Sequence, residues 1–164
     1  MKCENCGGKL VKSIRAHHYI ESGLKNVFLA NIPIYDCTEC SAREIVIPNL
    51  NELHQLIAKQ LATQRQRLNP EEIRFLRAHL GYSKADYAKR AGVTLKSVTR
   101  WETGTANVSM IAERFLRLLV LDMKIPFREY DVEKLDEFGR DIAPQKPKKL
   151  RYRIDKKSQW LIAA

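Results

Sequence analysis

The amino-acid sequence predicts an α+β fold: a small antiparallel β module, then an all-α domain of five helices, then a basic C-terminal extension. Three observations carry this expectation. Two cysteine pairs, Cys3-Glu4-Asn5-Cys6 and Cys37-Thr38-Glu39-Cys40, bracket apolar runs with a turn between them. From Asn69 onward apolar residues recur at helical spacing between cap residues and glycines. Finally, Ser83 to Gly104 reads as a short helix, a glycine turn and a second helix. The expected limits are 1–64 for the β module with a trailing helix, 69–124 for the helical domain and 125–164 for the extension.

Composition bounds the function classes. The 164 residues suit one ordinary domain or two small ones, and 45% hydrophobic content is ample for globular cores. A formal net charge of +10 favours polyanionic partners. No apolar run approaches the roughly 20 residues that span a bilayer, and the opening MKCENCGGKL has no signal-like apolar core, so a cytoplasmic protein is expected. In a reducing compartment, paired cysteines are metal ligands or redox groups rather than disulfides.

Cys3, Cys6, Cys37 and Cys40 are all the cysteines of the chain. Each CxxC turn aims two sulfurs at one ion, so two turns satisfy a tetrahedral zinc. Four protein ligands leave no position for a catalytic water, and the zinc is expected to be structural. Bound as thiolates, the four sulfurs lower the net charge to about +8. A redox dithiol and a rubredoxin-like iron site are the alternatives. Lys9 to Ile20, Leu24 to Tyr35 and Arg43 to Ile47 are the expected strands, with Glu21-Ser22-Gly23 as a turn. So small a module has little core of its own, and chelation is expected to melt it. His17 and His18 are read as sheet-face residues, not ligands.

After Pro48, a helix capped by Asn49 or Asn51 carries Leu50, Leu53, Ile57 and Leu61 on one face. The apolar signal fades at Thr63 to Arg67, which reads as a linker or frayed end, with Arg65 and Arg67 as possible phosphate contacts. Asn69-Pro70-Glu71-Glu72 then starts the next helix, with Ile73, Leu76 and Leu80 on its core face and Gly81 as its stop.

In the Ser83 to Gly104 stretch, Ser83 with Asp86 forms a capping-box-like start. Ala85, Ala88 and Ala91 permit close helix approach, and Gly92 supplies the turn. Thr94 caps the second helix. Val93, Leu95 (or Val98) and Trp101 are expected inward, leaving Lys96, Ser97, Thr99 and Arg100 outward as groove-reaching types. Double-stranded DNA is the expected partner.

Ser109 caps a helix running to about Asp122, with Ile111, Phe115, Leu118 and Leu119 as the core stripe and Leu116, Val120, Leu121 and Met123 left over. The extra apolar face calls for the C-terminal tail or a second subunit, and a homodimer would raise the affinity of a single recognition helix. Val132 to Phe138 suggests one more short helix. The tail after Lys146 is basic with partial alternation, compatible with a strand pair, a DNA-contacting extension or a segment ordered by a partner. No catalytic constellation appears, so the chain is not expected to be an enzyme; His54 and His79 are read as surface or packing residues.

The two cysteine pairs, the segment Ser83 to Gly92, and Arg100-Trp101-Glu102-Thr103-Gly104 together resemble the MqsA-type antitoxin family over roughly residues 1 to 123. That resemblance implies a zinc module that binds a toxin ribonuclease, and an Xre/Cro-type helix-turn-helix domain that dimerises and represses its own operon. It also implies that Lys96 and Arg100 read bases, with Lys84 compatible with phosphate contact; Ser83, Thr94, Ser97 and Thr99 complete the expected DNA-contacting set. Lys96 stands where family members can have Asn, which shifts preference from adenine toward guanine or phosphate. Lys84 stands where relatives often have Gln. The alternatives are a free-standing regulator with a structural or sensing zinc module, and an iron-tetrathiolate electron carrier.

Overall fold

The computed structural model describes residues 1–122, 149–155 and 157–163. They fall into two compact units. One joins residues 1–53 to the C-terminal strands; the other is helical and begins at His54. The short helix expected over Val132 to Phe138 lies outside the described residues.

The first unit is built on one sheet. β1 (Leu10–His18) and β2 (Val27–Cys37) form an antiparallel pair, linked through a 3-10 turn at Ile20–Ser22 that Gly23 closes. β3 (Arg43–Ile45) pairs antiparallel with the end of β2. The expected antiparallel module is extended by the tail. β4 (Leu150–Ile154) runs parallel to β2, with Val27 opposite Leu150 and Ala30 opposite Arg153, and β5 (Trp160–Ile162) returns antiparallel to β4. Of the three readings of the tail, its described part is therefore a strand pair. The reason is side-chain alternation: Leu150 and Tyr152 are buried while Arg151 and Arg153 are exposed.

Those tail residues complete a core. Val27, Leu29, Ile32 and Ile34 on β2 are buried with Leu10, Leu24, Leu150, Tyr152 and Trp160. At about 1.5–3 kcal/mol for each fully buried large aliphatic side chain, this is more apolar packing than a three-stranded zinc module holds alone. The Trp160 indole N–H donates to Pro48 O at 2.9 Å, and the Asn49 side-chain amide donates to Ser158 O at 2.6 Å. Asn49 stands just before α1, where its carbonyl accepts the Leu53 N–H at 3.1 Å, and its side-chain amide ties this helix start to the β4–β5 turn.

The helical unit contains α1 (Leu50–Thr63) from His54 onward, α2 (Pro70–His79), α3 (Lys84–Ala91), α4 (Leu95–Glu102) and α5 (Met110–Asp122). The contact boundary falls inside α1 rather than near residue 64. Ile57, Ala58, Leu61 and Ala62 are buried, and Arg117 of α5 explains why the segment after α1 is no loose linker. Its buried guanidinium donates to the carbonyls of Leu61, Ala62, Gln64 and Gln66 at 2.6–3.1 Å. The first two are carbonyls that the end of α1 leaves without an intrahelical donor. Glu113 sits within 2.8 Å of Arg117, accepts the Leu68 N–H at 3.0 Å and pairs with Arg67. Arg67, read from sequence as a possible phosphate contact or part of a solvated charge run, is spent here; it also donates to Val108 O at 2.7 Å.

This network inverts the expected face of α5. Ala112, Leu116 and Val120, one turn apart, are the buried stripe together with Glu113, Arg117 and Leu121. Ile111 is 83% exposed and Leu118 is also exposed. The apolar count misled because two charged residues occupy inward positions, paired with each other and with backbone. α2 starts as expected: Asn69 caps it in a full capping box with Glu72, and Pro70 opens the first turn.

Candidate metal centre and nucleic-acid interface

The sheet brings the two CxxC turns together. In the first turn the Cys3 N–H donates to Gly8 O and the Gly7 N–H to Cys3 O, each at 2.9 Å. The second turn spans the β2–β3 connection, where the Cys37 N–H donates to Ala42 O at 3.0 Å. Gly8 makes the approach possible. A Cβ there would lie 2.5 Å from Glu39 Cγ, 2.9 Å from Glu39 Cβ and 3.2 Å from Cys37 Sγ, so any other residue makes Glu39 shift and crowds the Cys37 sulfur.

Cys3, Cys6, Cys37 and Cys40 place their sulfurs all within 4.8 Å of one another, with no disulfide formed. Cys3 and Cys40 sulfurs are 3.8 Å apart, and those of Cys6 and Cys37 are 3.5 Å apart. A tetrahedral ion with metal–sulfur bonds of about 2.3 Å needs sulfurs about 3.8 Å apart, so the set fits. Backbone N–H groups of Gly8 and Glu39 reach the sulfurs of Cys6 and Cys37 at 3.4 Å, which suits thiolates better than thiols. The Ala42 N–H, helped by the sulfur of Cys6, brings Cys40 down to about 7. Against the lowering pull of the Gly8 N–H, Cys37 and Cys40 push Cys6 up to about 12. These four residues can hold a metal ion. His17 and His18 are not among them: His17 Nε2 lies 3.3 Å from Glu21, and His18 stacks on Phe28 with ring centroids 4.4 Å apart.

The Ser83 to Gly104 stretch folds into α3, a turn and α4. Ser83 accepts the Asp86 N–H at 3.1 Å and Asp86 accepts the Ser83 N–H at 2.9 Å, so the capping box is complete with Asp in the acidic position. Hydrogen bonding from the Ser83 hydroxyl and from its backbone N–H, with the nearby Arg90 and Lys89, holds the Asp86 carboxyl below the usual range. Gly92 ends α3 at φ +65°, a left-handed conformation that glycine adopts without strain. Thr94 caps α4 by accepting the Ser97 N–H at 3.1 Å, and their hydroxyls lie 2.9 Å apart.

α4 turns Val98 and Trp101 into the core. Of the two inward options, Val98 is the core residue; Leu95 is 53% exposed. Lys96 and Arg100, one turn apart, are exposed, with Thr99 and Ser97 half-buried beside them. Among the described residues neither Lys96 nor Arg100 makes an ion pair. Lys84 differs: its ammonium is 3.7 Å from Glu102, which Arg77 also grips, Nε to Oε1 at 2.5 Å and an Nη to Oε2 at 3.2 Å. Ala88 is buried as expected, but Ala85 is exposed.

A family model described as helix-turn-helix matches residues 73–112, the segment from within α2 into α5. Residues 73–112 are a helix-turn-helix domain. The chain is therefore a DNA-binding protein of the transcriptional-regulator class, and the match leaves the cysteine module outside it. No curated protein and no solved structure matches the chain. No helix among the described residues is long and apolar enough to cross a membrane.

Two features of the helix-turn-helix domain were hidden in sequence. Tyr87, fully buried, donates its hydroxyl to Ala112 O at 2.7 Å and pins α3 against α5. Its aromatic body at an inward position was the available signal. Glu102 is a buried carboxylate, and the signal was its place beside Trp101; a reading that sends acids to the surface misses it.

Proposed function

We propose that the protein is a zinc-containing, sequence-specific transcriptional repressor, the antitoxin of a toxin–antitoxin pair that regulates its own operon. The observation that carries the reading is the presence in one chain of a four-cysteine cluster and a helix-turn-helix domain. The zinc fills the Cys3, Cys6, Cys37 and Cys40 set as a structural ion. Lys96 and Arg100 read base edges from the exposed side of α4, Arg100 suited to a guanine. Ser97 and Thr99 line the same approach. Ser83 and Thr94 offer phosphate the start of α3 and of α4, and Lys84 adds a charge there, shared with Glu102. A homodimer would present two α4 helices to a two-fold operator.

Arg100→Ala is expected to weaken specific binding by about 1–3 kcal/mol and to relax preference at one base pair. Lys84→Ala should weaken binding to all sequences alike. A gel shift against selected operator fragments measures both. Unchanged operator binding by Arg100→Ala would remove α4 from the interface.

The antitoxin half of the reading is tested by pull-down of the tagged chain with metal analysis of the same sample. Co-purification of a small basic ribonuclease and one zinc per chain support it. A chain that elutes alone, with no toxin-like reading frame beside its gene, leaves a free-standing regulator. Visible absorption with bound iron would instead point to an electron carrier.

A further inference from the structure

The solvent-facing side of the sheet combines rings and cations in register. On that face Phe28 of β2 lies between His18 of β1 and Arg151 of β4. The His18 ring stacks on Phe28 with planes 10° apart, and the Lys149 ammonium lies 5.4 Å from the Phe28 centroid. One step along, Arg153 is opposite Ala30 on one side and Leu161 on the other. Farther along β2, Pro33 faces Ile14, and Tyr35 faces Lys12 and Glu44. Residues paired across strands share a face, while Val27, Leu29, Ile32 and Ile34 turn to the core on the other.

The chemistry of this face is specific. His18, Lys12, Lys149, Arg151 and Arg153 are all exposed, whereas Phe28 and Tyr35 are half-buried. Among the described residues Glu44 pairs opposite Tyr35 on this face, and Asp155, after β4, accepts from the backbone N–H groups of Lys157 and Gln159. Short side chains at Ala30 and Pro33 leave a flat floor between the rings. Arg151 and Arg153 stand two residues apart on one strand, about 6.6 Å. That suits successive phosphates of an extended strand. A flat sheet with rings and flanking cations matches unstacked bases on a backbone, not a duplex whose bases are already stacked inside.

We infer that this face binds single-stranded nucleic acid, with Arg151, Arg153, Lys149 and Lys12 on phosphates and the His18–Phe28 pair and Tyr35 beneath bases. It is a second nucleic-acid surface, distinct in residues and in ligand from the exposed side of α4. The structure of the strand pair makes it possible: without β4, the sheet has neither arginine.

The test uses the full chain and labelled 12-nucleotide RNA, single-stranded DNA and the matching duplex, with binding read by fluorescence anisotropy at several salt concentrations. The double variant Arg151→Ala, Arg153→Ala is expected to bind both single strands at least tenfold more weakly. Its log–log salt slope should be shallower by about 1.4, two phosphate contacts on a single strand. Binding of operator duplex should not change. Arg151→Lys with Arg153→Lys should restore most of the single-strand affinity, and Phe28→Leu should lose affinity while keeping the salt slope. Lys96→Ala with Arg100→Ala should leave single-strand binding intact, which separates this surface from the operator reading. Tighter binding to RNA than to DNA would add recognition of the 2′-hydroxyl, and equal binding would assign affinity to stacking and phosphate alone. The inference is overturned if the arginine-to-alanine variant binds single strands as well as the parent. It is equally overturned if the parent binds anionic vesicles or polyglutamate as tightly as the oligonucleotides.

Discussion

Arg117 is fully buried, and its guanidinium meets four backbone carbonyls and the Glu113 carboxylate. Burial pulls its pKa down and Glu113 opposes the pull. A guanidinium suits the place because its planar fork of donors satisfies several acceptors at once. Arg117→Leu would leave those carbonyls without a donor, and removing one partner of a buried pair costs about 3–5 kcal/mol. Arg117→Lys should recover only part of this, since a single ammonium cannot span the same acceptors. Urea unfolding followed by helical circular dichroism measures both variants. Midpoints equal to the parent's would mean that the clamp contributes nothing.

Two other residues show how charge hides in a core. Glu102 follows Trp101 and is buried against Arg77 and Lys84; Glu113 is buried between Arg67 and Arg117. Each carboxylate joins segments far apart in sequence. Hydrophobic spacing cannot reveal them, because part of the charge that neutralises each one, Arg77 for Glu102 and Arg67 for Glu113, comes from another segment.

At the level of elements, the chain is punctuated by caps that sequence does reveal. Asn69, Ser83 and Thr94 all accept the amide N–H that their spacing predicts. Gly92 adopts the positive φ that a turn between α3 and α4 requires. These are local devices, decided within four residues of the cap. The outcome was different for α5, where which stripe is buried depended on partners in α1 and in the segment that follows it.

The cysteine turns belong to this scale too. A small zinc module with three strands would be expected to melt on chelation. The five-stranded sheet carries its own apolar core through Leu150, Tyr152 and Trp160. Chelation should therefore free residues 1–9 and the Cys37–Ala42 turn while the strands persist. Hydrogen exchange with and without chelator checks this: protection should fall at those two turns and stay on β2 and β4. Loss of protection across all strands would show that the metal holds the whole sheet.

On the scale of the molecule, the helical unit is an insertion between two parts of one sheet unit, since residues 1–53 join the C-terminal strands. The two ends of the chain thus depend on each other. Deleting 149–164 would open β2 along Val27–Ala30 and expose Val27 and Leu29, both fully buried in the intact sheet. The expected outcome is loss of strand signal in circular dichroism, aggregation through the bared edge, and retained helical signal from the unit that begins at His54. A truncated chain with full strand signal would show that β4 and β5 are dispensable.

By itself the sequence determined the α+β class, the four-cysteine set, the helix starts and the placement of Lys96 and Arg100 on the exposed side of α4. All of these rest on contacts between near neighbours: a cap and its third amide, two sulfurs in one turn, an apolar stripe on one short helix. Tertiary structure alone decided the parallel pairing of β4 with β2, the inward turn of Arg117 and Glu113, and the meeting of His18, Phe28 and Arg151 on one face. Those depend on pairing between residues more than a hundred positions apart or on charges neutralised from another element. Nothing in a local period records which distant segment supplies the partner.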